Sequence, residues 1–243
     1  MGRMTILLFD MDGVLTEARQ PMTVEMAQLV IAAASRHSSY IVTGSDCEKV
    51  REQVPPDVLG WLAGVFTCGG NEFWFAGDCV FGARHDFPSE MVEAIEALLK
   101  ASPYPVRTGA HVERRAGMLN VSVVGRNADP LQRLAYAGFD RTALEREALA
   151  ATIMTRFPGY EAVLGGDISI DIVPKGRTKA QVAGLLPSKG PVYFFADRLD
   201  PGGNDWPLAK ALRAASPANR NFRVNSPKDT KVFLEALLHG VMA

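Results

Sequence analysis

The sequence predicts an α/β protein: a core built on a parallel sheet, interrupted by an inserted α+β domain. Three observations carry this expectation. A short, continuously apolar run near the start ends on acids and a glycine, as strands buried on both faces of a parallel sheet do. Strand-like runs and helix-period segments alternate at both ends of the chain, the order that parallel crossovers require. The middle instead sets several strands in an antiparallel-looking order beside helices. At 243 residues the chain is close to the length, ~250 residues, at which a second domain becomes the norm. The expected division is 1–83 with 175–243 for the core and 84–174 for the insert.

The first element is the strand within Thr5-Ile6-Leu7-Leu8-Phe9-Asp10-Met11-Asp12-Gly13-Val14, too continuously apolar for an amphipathic helix and bounded by Asp and Gly. A helix follows with Thr23 as N-cap, since Met26, Leu29, Val30 and Ala33 recur at i, i+3, i+4 and i+7. The run from Ser39 to Asp46 is the next strand, which completes a strand-helix-strand unit. From about Asp86 to Val173 the insert reads as a helix (SEMVEAIEALLK), two strands (RTGAHVERR and GMLNVSVVGR), a helix with Leu144, Ala148 and Ala151 on one face, and two further strands (YEAVLG and DISIDIV). The alternating pattern then returns: a helix over Thr178 to Leu186, a strand from Pro191 to Asp197, a helix after Asn204, a short strand near Phe222 to Val224, and a last helix. Ser226 as N-cap, Pro227 at the first helical position and Asp229 three residues after the cap mark the start of that last helix.

Composition narrows the function. Hydrophobic residues make up 47% and charged residues 22%, with a formal net charge of -1, so nothing points to nucleic acid or an anionic membrane surface as partner. The three cysteines, Cys47, Cys68 and Cys79, form no C-x-x-C pair and are odd in number, which argues for reduced thiols and against a disulfide framework. No window approaches the ~18 uninterrupted apolar residues of a membrane span, and the expectation is a soluble cytoplasmic protein.

In a parallel α/β sheet, chemistry collects where strands end. Asp10 and Asp12 stand at the exit of the first strand, and residues i and i+2 of an extended segment face the same side. Two such close carboxylates resist joint ionisation, so one tends to stay charged and the other to hold a proton, an asymmetry that suits a nucleophile beside a general acid/base. Thr43 and Ser45 end the second strand, where hydroxyls and loop amides can hold phosphoryl oxygens. Lys175, Arg177 and Lys179 follow the insert, and Asp197 closes a third strand ahead of Gly202, Gly203, Asn204 and Asp205. A calcium loop fits poorly, because Gly13 follows Asp12 directly and a strand precedes the acids instead of a helix.

Acids, hydroxyl, lysine and acids in that order resemble the motif series of the haloacid dehalogenase (HAD) superfamily, and more closely the eukaryotic-type phosphomannomutases. The likeness runs through FDMDGVLTEARQ, GSDCEKVREQ, RRAGMLNVSVVGR, GGDISIDIVPKG and YFFADRLDPGGND. It implies a Rossmann-like parallel-sheet HAD core with an inserted α+β cap domain. Carried onto these positions, it makes Asp10 the nucleophile that becomes an aspartyl phosphate, Asp12 the acid/base and Lys179 the residue that neutralises phosphoryl charge. Thr43 and Ser45 both fall in the hydroxyl motif, and the resemblance does not choose between them. It implies magnesium held by Asp10, the carbonyl of Asp12 and Asp197, with Asp205 in or near the outer shell.

A sugar phosphomutase needs a second phosphate site, and arginine forks match phosphate oxygens two at a time. Arg115 and Arg126 are expected at the ends of successive strands, whereas Arg114 should point the other way. By the same likeness Arg19, Arg115, Arg126 and Arg133 match phosphate-binding arginines, and Ser169 and Asp171 match sugar-hydroxyl contacts. The implied reaction interconverts hexose 6-phosphate and hexose 1-phosphate, mannose foremost, with a hexose bisphosphate as intermediate and activator and a homodimer joined through the cap. A sugar-phosphate phosphatase shares the core motifs and is the second reading. A non-catalytic sugar-phosphate binder is the third, and it predicts the loss of at least one of Asp10, Asp12, Lys179 or Asp197, all of which are present. Val14 replaces the family's threonine, Ala196 replaces a glycine, and the segment after Asp205 departs from the family's metal-loop pattern.

Overall fold

In the computed structural model, which describes residues 5–187 and 190–241, the first apolar run forms β1 (Ile6–Phe9), buried along its whole length. The chain continues through α1 (Val24–Ala34), β2 (Ser38–Val42), α2 (Cys47–Gln53), α3 (Pro56–Trp61), β3 (Gly64–Thr67) and a hairpin of β4 (Glu72–Phe75) and β5 (Asp78–Gly82). Next come α4 (Ser89–Lys100), β6 (Val112–Arg115), β7 (Met118–Val121), α5 (Pro130–Ala143), α6 (Glu145–Arg156), β8 (Tyr160–Gly165) and β9 (Ser169–Pro174). After a 3-10 turn at Lys179–Gly184 the chain ends with β10 (Val192–Ala196), α7 (Trp206–Ala215), β11 (Arg220–Arg223) and α8 (Pro227–Leu238). Two compact units result: Met1–Gly82 with Lys179–Pro201 and Asp205–Ala243, and Ala83–Thr178 with Gly202–Asn204.

The first unit is a seven-stranded sheet in the order β11-β10-β1-β2-β3-β4-β5. Its first five strands are parallel, and the β4–β5 hairpin adds the antiparallel end. β1 lies between β10 and β2, which is why it is apolar on both sides: Leu7 and Phe9 enter one core cluster, Ile6 and Leu8 another. Phe9, Phe195 and Phe222 stack across neighbouring strands at ring separations of 5.0 and 4.9 Å. The Thr23 hydroxyl caps α1 by accepting from the Met26 N–H at 3.2 Å, as its position predicts. Ser226 stands at the N-cap of α8 and Pro227 at its first position, as expected, but the Ser226 side chain makes no capping bond and Asp229 instead accepts from the Asn225 N–H at 2.7 Å. The helix expected over Thr178 to Leu186 is only the 3-10 turn, which stops at Gly184.

The second unit is an α+β layer whose four strands run antiparallel in the order β6-β7-β9-β8. Leu119, Val121, Ile170 and Ile172 point from one face into a core shared with Met91, Ile95 and Tyr136. The face expected from Leu144, Ala148 and Ala151 is the exposed one. Leu144 takes a left-handed conformation, φ 52°, and joins α5 to α6 instead of sitting within a helix. Arg146 turns inward with Ala150 and Ile153 because its Nε donates to Asp140 Oδ2 at 2.7 Å, a buried pair that the apolar pattern does not reveal.

Gly125 is required by its surroundings. It has φ +90°, and a Cβ there would lie 1.9 Å from the Thr108 carbonyl oxygen. Gly125→Ala is therefore expected to destabilise the protein by at least ~2 kcal/mol, read as a lower midpoint in urea unfolding.

Candidate active site

β1, β2 and β10 are parallel neighbours and end at one rim of their sheet, so Asp10, Thr43 and Asp197 emerge there together. The Asp10 N–H still donates to Phe195 O at 2.9 Å, which fixes the backbone of the acid as a continuation of the strand. Gly13 has φ +82°, and a Cβ on it would stand 3.1 Å from Asp197 Oδ2. The glycine after the acid pair thus lets the loop turn and keeps room for the third carboxylate.

Lys179 ties Asp10 to Asp205. Its Nζ donates to Asp10 Oδ1 at 2.8 Å and to Asp205 Oδ1 at 2.7 Å, and the lysine is 3% exposed. Asp205, fully buried, accepts at its other oxygen from the Arg198 N–H at 3.3 Å. Burial, aided by the Asp205 charge and opposed by Lys179, pushes the Asp10 carboxyl up to about 7. Burial and the Asp10 charge push Asp197 up to about 6, and burial also raises Asp205 against the pull of Lys179. Burial works against the Lys179 ammonium, but Asp10 and Asp205 outweigh it and hold the charge well above the ordinary lysine range.

The same acids fit a hard divalent cation. One oxygen each from Asp10, Asp197 and Asp205 lies within 4.8 Å of the others, and Asp197 Oδ1 is buried and has no hydrogen-bond partner among the described residues. Lys179 takes only Oδ1 of Asp10, whereas Asp205 has a donor on each oxygen. Asp10 and Asp197 are therefore the side chains best placed to touch a cation, with Asp205 behind them.

Raised carboxyl pKa values give a sign to the pH dependence. Asp10 and Asp197 shift up from an ordinary 3.8, so between about 4 and about 7 the folded chain holds protons that the unfolded chain releases. Stability contributed by this cluster must fall as pH rises through that window. Without divalent cation, the melting temperature is expected to drop from pH 5 to pH 8, less steeply in Asp197→Asn. Magnesium should restore it at pH 8 and do little at pH 5, as differential scanning calorimetry can check.

Around the cluster, Asp12 Oδ1 accepts from the Arg19 N–H at 2.8 Å, and Arg19 has φ 60° with an exposed side chain. Thr43 is 2% exposed and its hydroxyl oxygen accepts from the Ser45 N–H at 3.1 Å. Ser45 is half-buried, and among the described residues its own hydroxyl makes no hydrogen bond.

The second unit gathers Arg115, Arg126, Ser169 and Asp171 on the polar face of its sheet. Glu113, Asn120 and Asp171 lie in register across β6, β7 and β9. Glu113 Oε2 holds both Arg115 Nη2 and Arg126 Nε at 2.8 Å, while Arg126 Nη1 donates to Ser169 Oγ at 3.0 Å. Asn120 Nδ2 donates to Asp171 Oδ1 at 2.6 Å. Arg114 is exposed, as strand alternation predicts. Arg126 does not end a strand: β7 stops at Val121, and Arg126 is held five residues later by its N–H on Ala110 O at 2.8 Å. Arg133 lies on α5, directly after Gln132, which forms a capping box with Asp129.

Glu113 and Asn120 are the partners that sequence reasoning missed. A signal for each existed, since Glu113 is two residues before Arg115 on one strand and Asn120 is polar inside an apolar run.

The family model described as eukaryotic phosphomannomutase matches residues 26–240. The probable phosphomannomutase of Caenorhabditis elegans is 30% identical over 252 residues, an alignment covering 96% of this chain and 95% of that one. In fold the chain is similar to the trehalose-6-phosphate phosphatase C-terminal domain of C. albicans, with a TM-score of 0.65 at 18% identity over 98% of this chain and 92% of that one. It is also similar to a haloacid dehalogenase-like hydrolase from Bacteroides thetaiotaomicron, with a TM-score of 0.59 at 12% identity over 98% and 100%.

Proposed function

Because the chain belongs to the eukaryotic phosphomannomutase family of HAD-superfamily phosphotransferases, we propose that it interconverts mannose 6-phosphate and mannose 1-phosphate in the cytoplasm through a phosphorylated Asp10. The observation that carries this reading is the buried Asp10 carboxylate, held by Lys179 within the Asp197 and Asp205 cluster.

A hydroxyl of the hexose monophosphate attacks phosphorylated Asp10, and Asp12 takes its proton as the acyl phosphate bond breaks. The product is a hexose bisphosphate. After it turns end for end, an Asp10 oxygen attacks the other phosphate, and Asp12 returns the proton to the departing sugar oxygen. Lys179 faces the charge that grows on the transferring group, and Ser45 supplies a hydroxyl to it, since the Thr43 hydroxyl is the more deeply buried of the two. Asp10, the Asp12 carbonyl and Asp197, with Asp205 behind, would hold magnesium, whose charge would balance that of the phosphoryl oxygens. Arg19, Arg115, Arg126 and Arg133 take the phosphate that does not react, and Ser169 and Asp171 take sugar hydroxyls. For Arg115 and Arg126 this means exchanging part of their pairing with Glu113 for phosphate.

A trace of hexose bisphosphate activates the enzyme by phosphorylating Asp10. The same reading makes the protein a homodimer joined through the second unit, where Leu131 and Leu134, 77% and 65% exposed on α5, offer an apolar patch.

Phosphorus NMR with magnesium, mannose 1-phosphate and a trace of hexose bisphosphate tests the reading. Appearance of mannose 6-phosphate is expected. Inorganic phosphate without the isomer would make the protein a phosphatase, and isomerisation of glucose 1-phosphate alone would change the sugar. Arg126→Ala is expected to slow isomerisation ~100-fold while hydrolysis of a small aryl phosphate stays within a few-fold of wild type.

A further inference from the structure

Gln53 closes α2 and is 4% exposed, so its amide must find partners inside the protein. With the amide nitrogen turned toward the acid loop, it lies 3.1 Å from Asp12 Oδ1, 3.1 Å from Thr16 Oγ1 and 3.3 Å from Gln20 O. An amide oxygen in that place could accept from the Thr16 hydroxyl but would face two pure acceptors, Asp12 Oδ1 and Gln20 O, whereas the nitrogen satisfies all three, which assigns the orientation. The Thr16 hydroxyl passes its own proton on to Met11 O at 3.3 Å. The Gln53 carbonyl accepts from the Met22 N–H at 2.7 Å, so both ends of this residue tie down the segment that carries Asp12.

Two donors thus converge on one oxygen of Asp12: the Gln53 amide and the Arg19 N–H at 2.8 Å. Donors from two directions fix the plane of the carboxylate as well as its position. Among the described residues no hydrogen bond reaches the other oxygen, Oδ2.

We propose that Gln53 is a positioning residue that aims Asp12 Oδ2 at the oxygen gaining or losing a proton, a role that rests on the reaction proposed above. It touches no reacting atom. Its effect should appear only in steps that need the proton, because a misdirected carboxylate loses its approach to the sugar oxygen.

Two phosphoryl donors separate this role from general damage. Phosphorylation of Asp10 by acetyl phosphate forms the acyl phosphate on Asp10 and releases acetate, which leaves as an anion without a proton. Phosphorylation by glucose 1,6-bisphosphate forms the same bond and releases a sugar oxygen that must be protonated. Rates with both donors are measured in one preparation of the wild type, Gln53→Met and Gln53→Ala, so that loss of active protein cancels in the ratio. The expected result is a ~10- to 100-fold loss with the bisphosphate, carried by kcat and not KM, and a loss under ~3-fold with acetyl phosphate. Equal losses with both donors, or no loss with either, would overturn the proposal. If the wild type accepts phosphate from both donors yet fails to isomerise mannose phosphate, the proposed function falls while the donor ratio still decides on Gln53.

Discussion

Replacing Asp10 with asparagine is expected to stop phosphoryl transfer, with kcat reduced at least ~10⁴-fold, because the amide keeps the shape of the side chain and removes the nucleophile. Isomerisation and any hydrolysis should fail together, since both begin from the same acyl phosphate. The variant should fold. Asp10 is charged with difficulty in its buried setting, where the carboxyl is pushed up to about 7, so a neutral isostere relieves repulsion from Asp205 and Asp12. A melting temperature at pH 8 equal to or above that of the metal-free wild type is expected. A residual rate within tenfold of wild type would show that another group accepts the phosphate.

Lys179→Met removes the ammonium that binds Asp10 and Asp205, at 2.8 and 2.7 Å, and leaves their carboxyls facing each other with little access to water. Breaking a buried pair by deleting one partner costs about 3–5 kcal/mol, because the remaining charge is neither solvated nor matched. Urea unfolding in the absence of divalent cation should show a loss of that size, and magnesium should recover part of it by binding the same acids. Activity should fall ~10³-fold even at saturating magnesium, since in the proposed reaction the lysine faces charge that develops during transfer. Full activity in a stable Lys179→Met protein would remove the lysine from the catalytic account.

Much of this site was legible in the sequence for a physical reason. A parallel strand buried on both faces must be apolar to its end, so Asp10 after Phe9 and Asp197 after Ala196 stand out at the rim where ligands collect. The parallel-sheet core and the α+β insert followed from the order of strands and helices, and the HAD type of that core from the motif resemblance. Less visible were features set by tertiary contact. The β4–β5 hairpin carries Phe75, Val80 and Phe81 exposed at a sheet edge, so inside-out alternation does not announce it. The face of α6 was misassigned because its inward anchor is Arg146, paired with Asp140, and charge is not read as core. Arg126 looked like a strand end because GMLNVSVVGR is strand-like throughout, whereas the ladder stops at Val121 and Gly125, at φ +90°, turns the chain. The pairing of Arg115 and Arg126 through Glu113 depends on a loop returning to β6, which no local pattern encodes.

The central claim is covalent: phosphate resides on Asp10 during turnover. Brief reaction with glucose 1,6-bisphosphate and magnesium, acid quench and borohydride reduction converts an aspartyl phosphate to homoserine, which peptide mass spectrometry can locate. Homoserine at position 10, absent from Asp10→Asn and formed as fast as the enzyme turns over, is the predicted result. Isomerisation that proceeds with no homoserine at position 10, or with the label at another residue, would contradict the account.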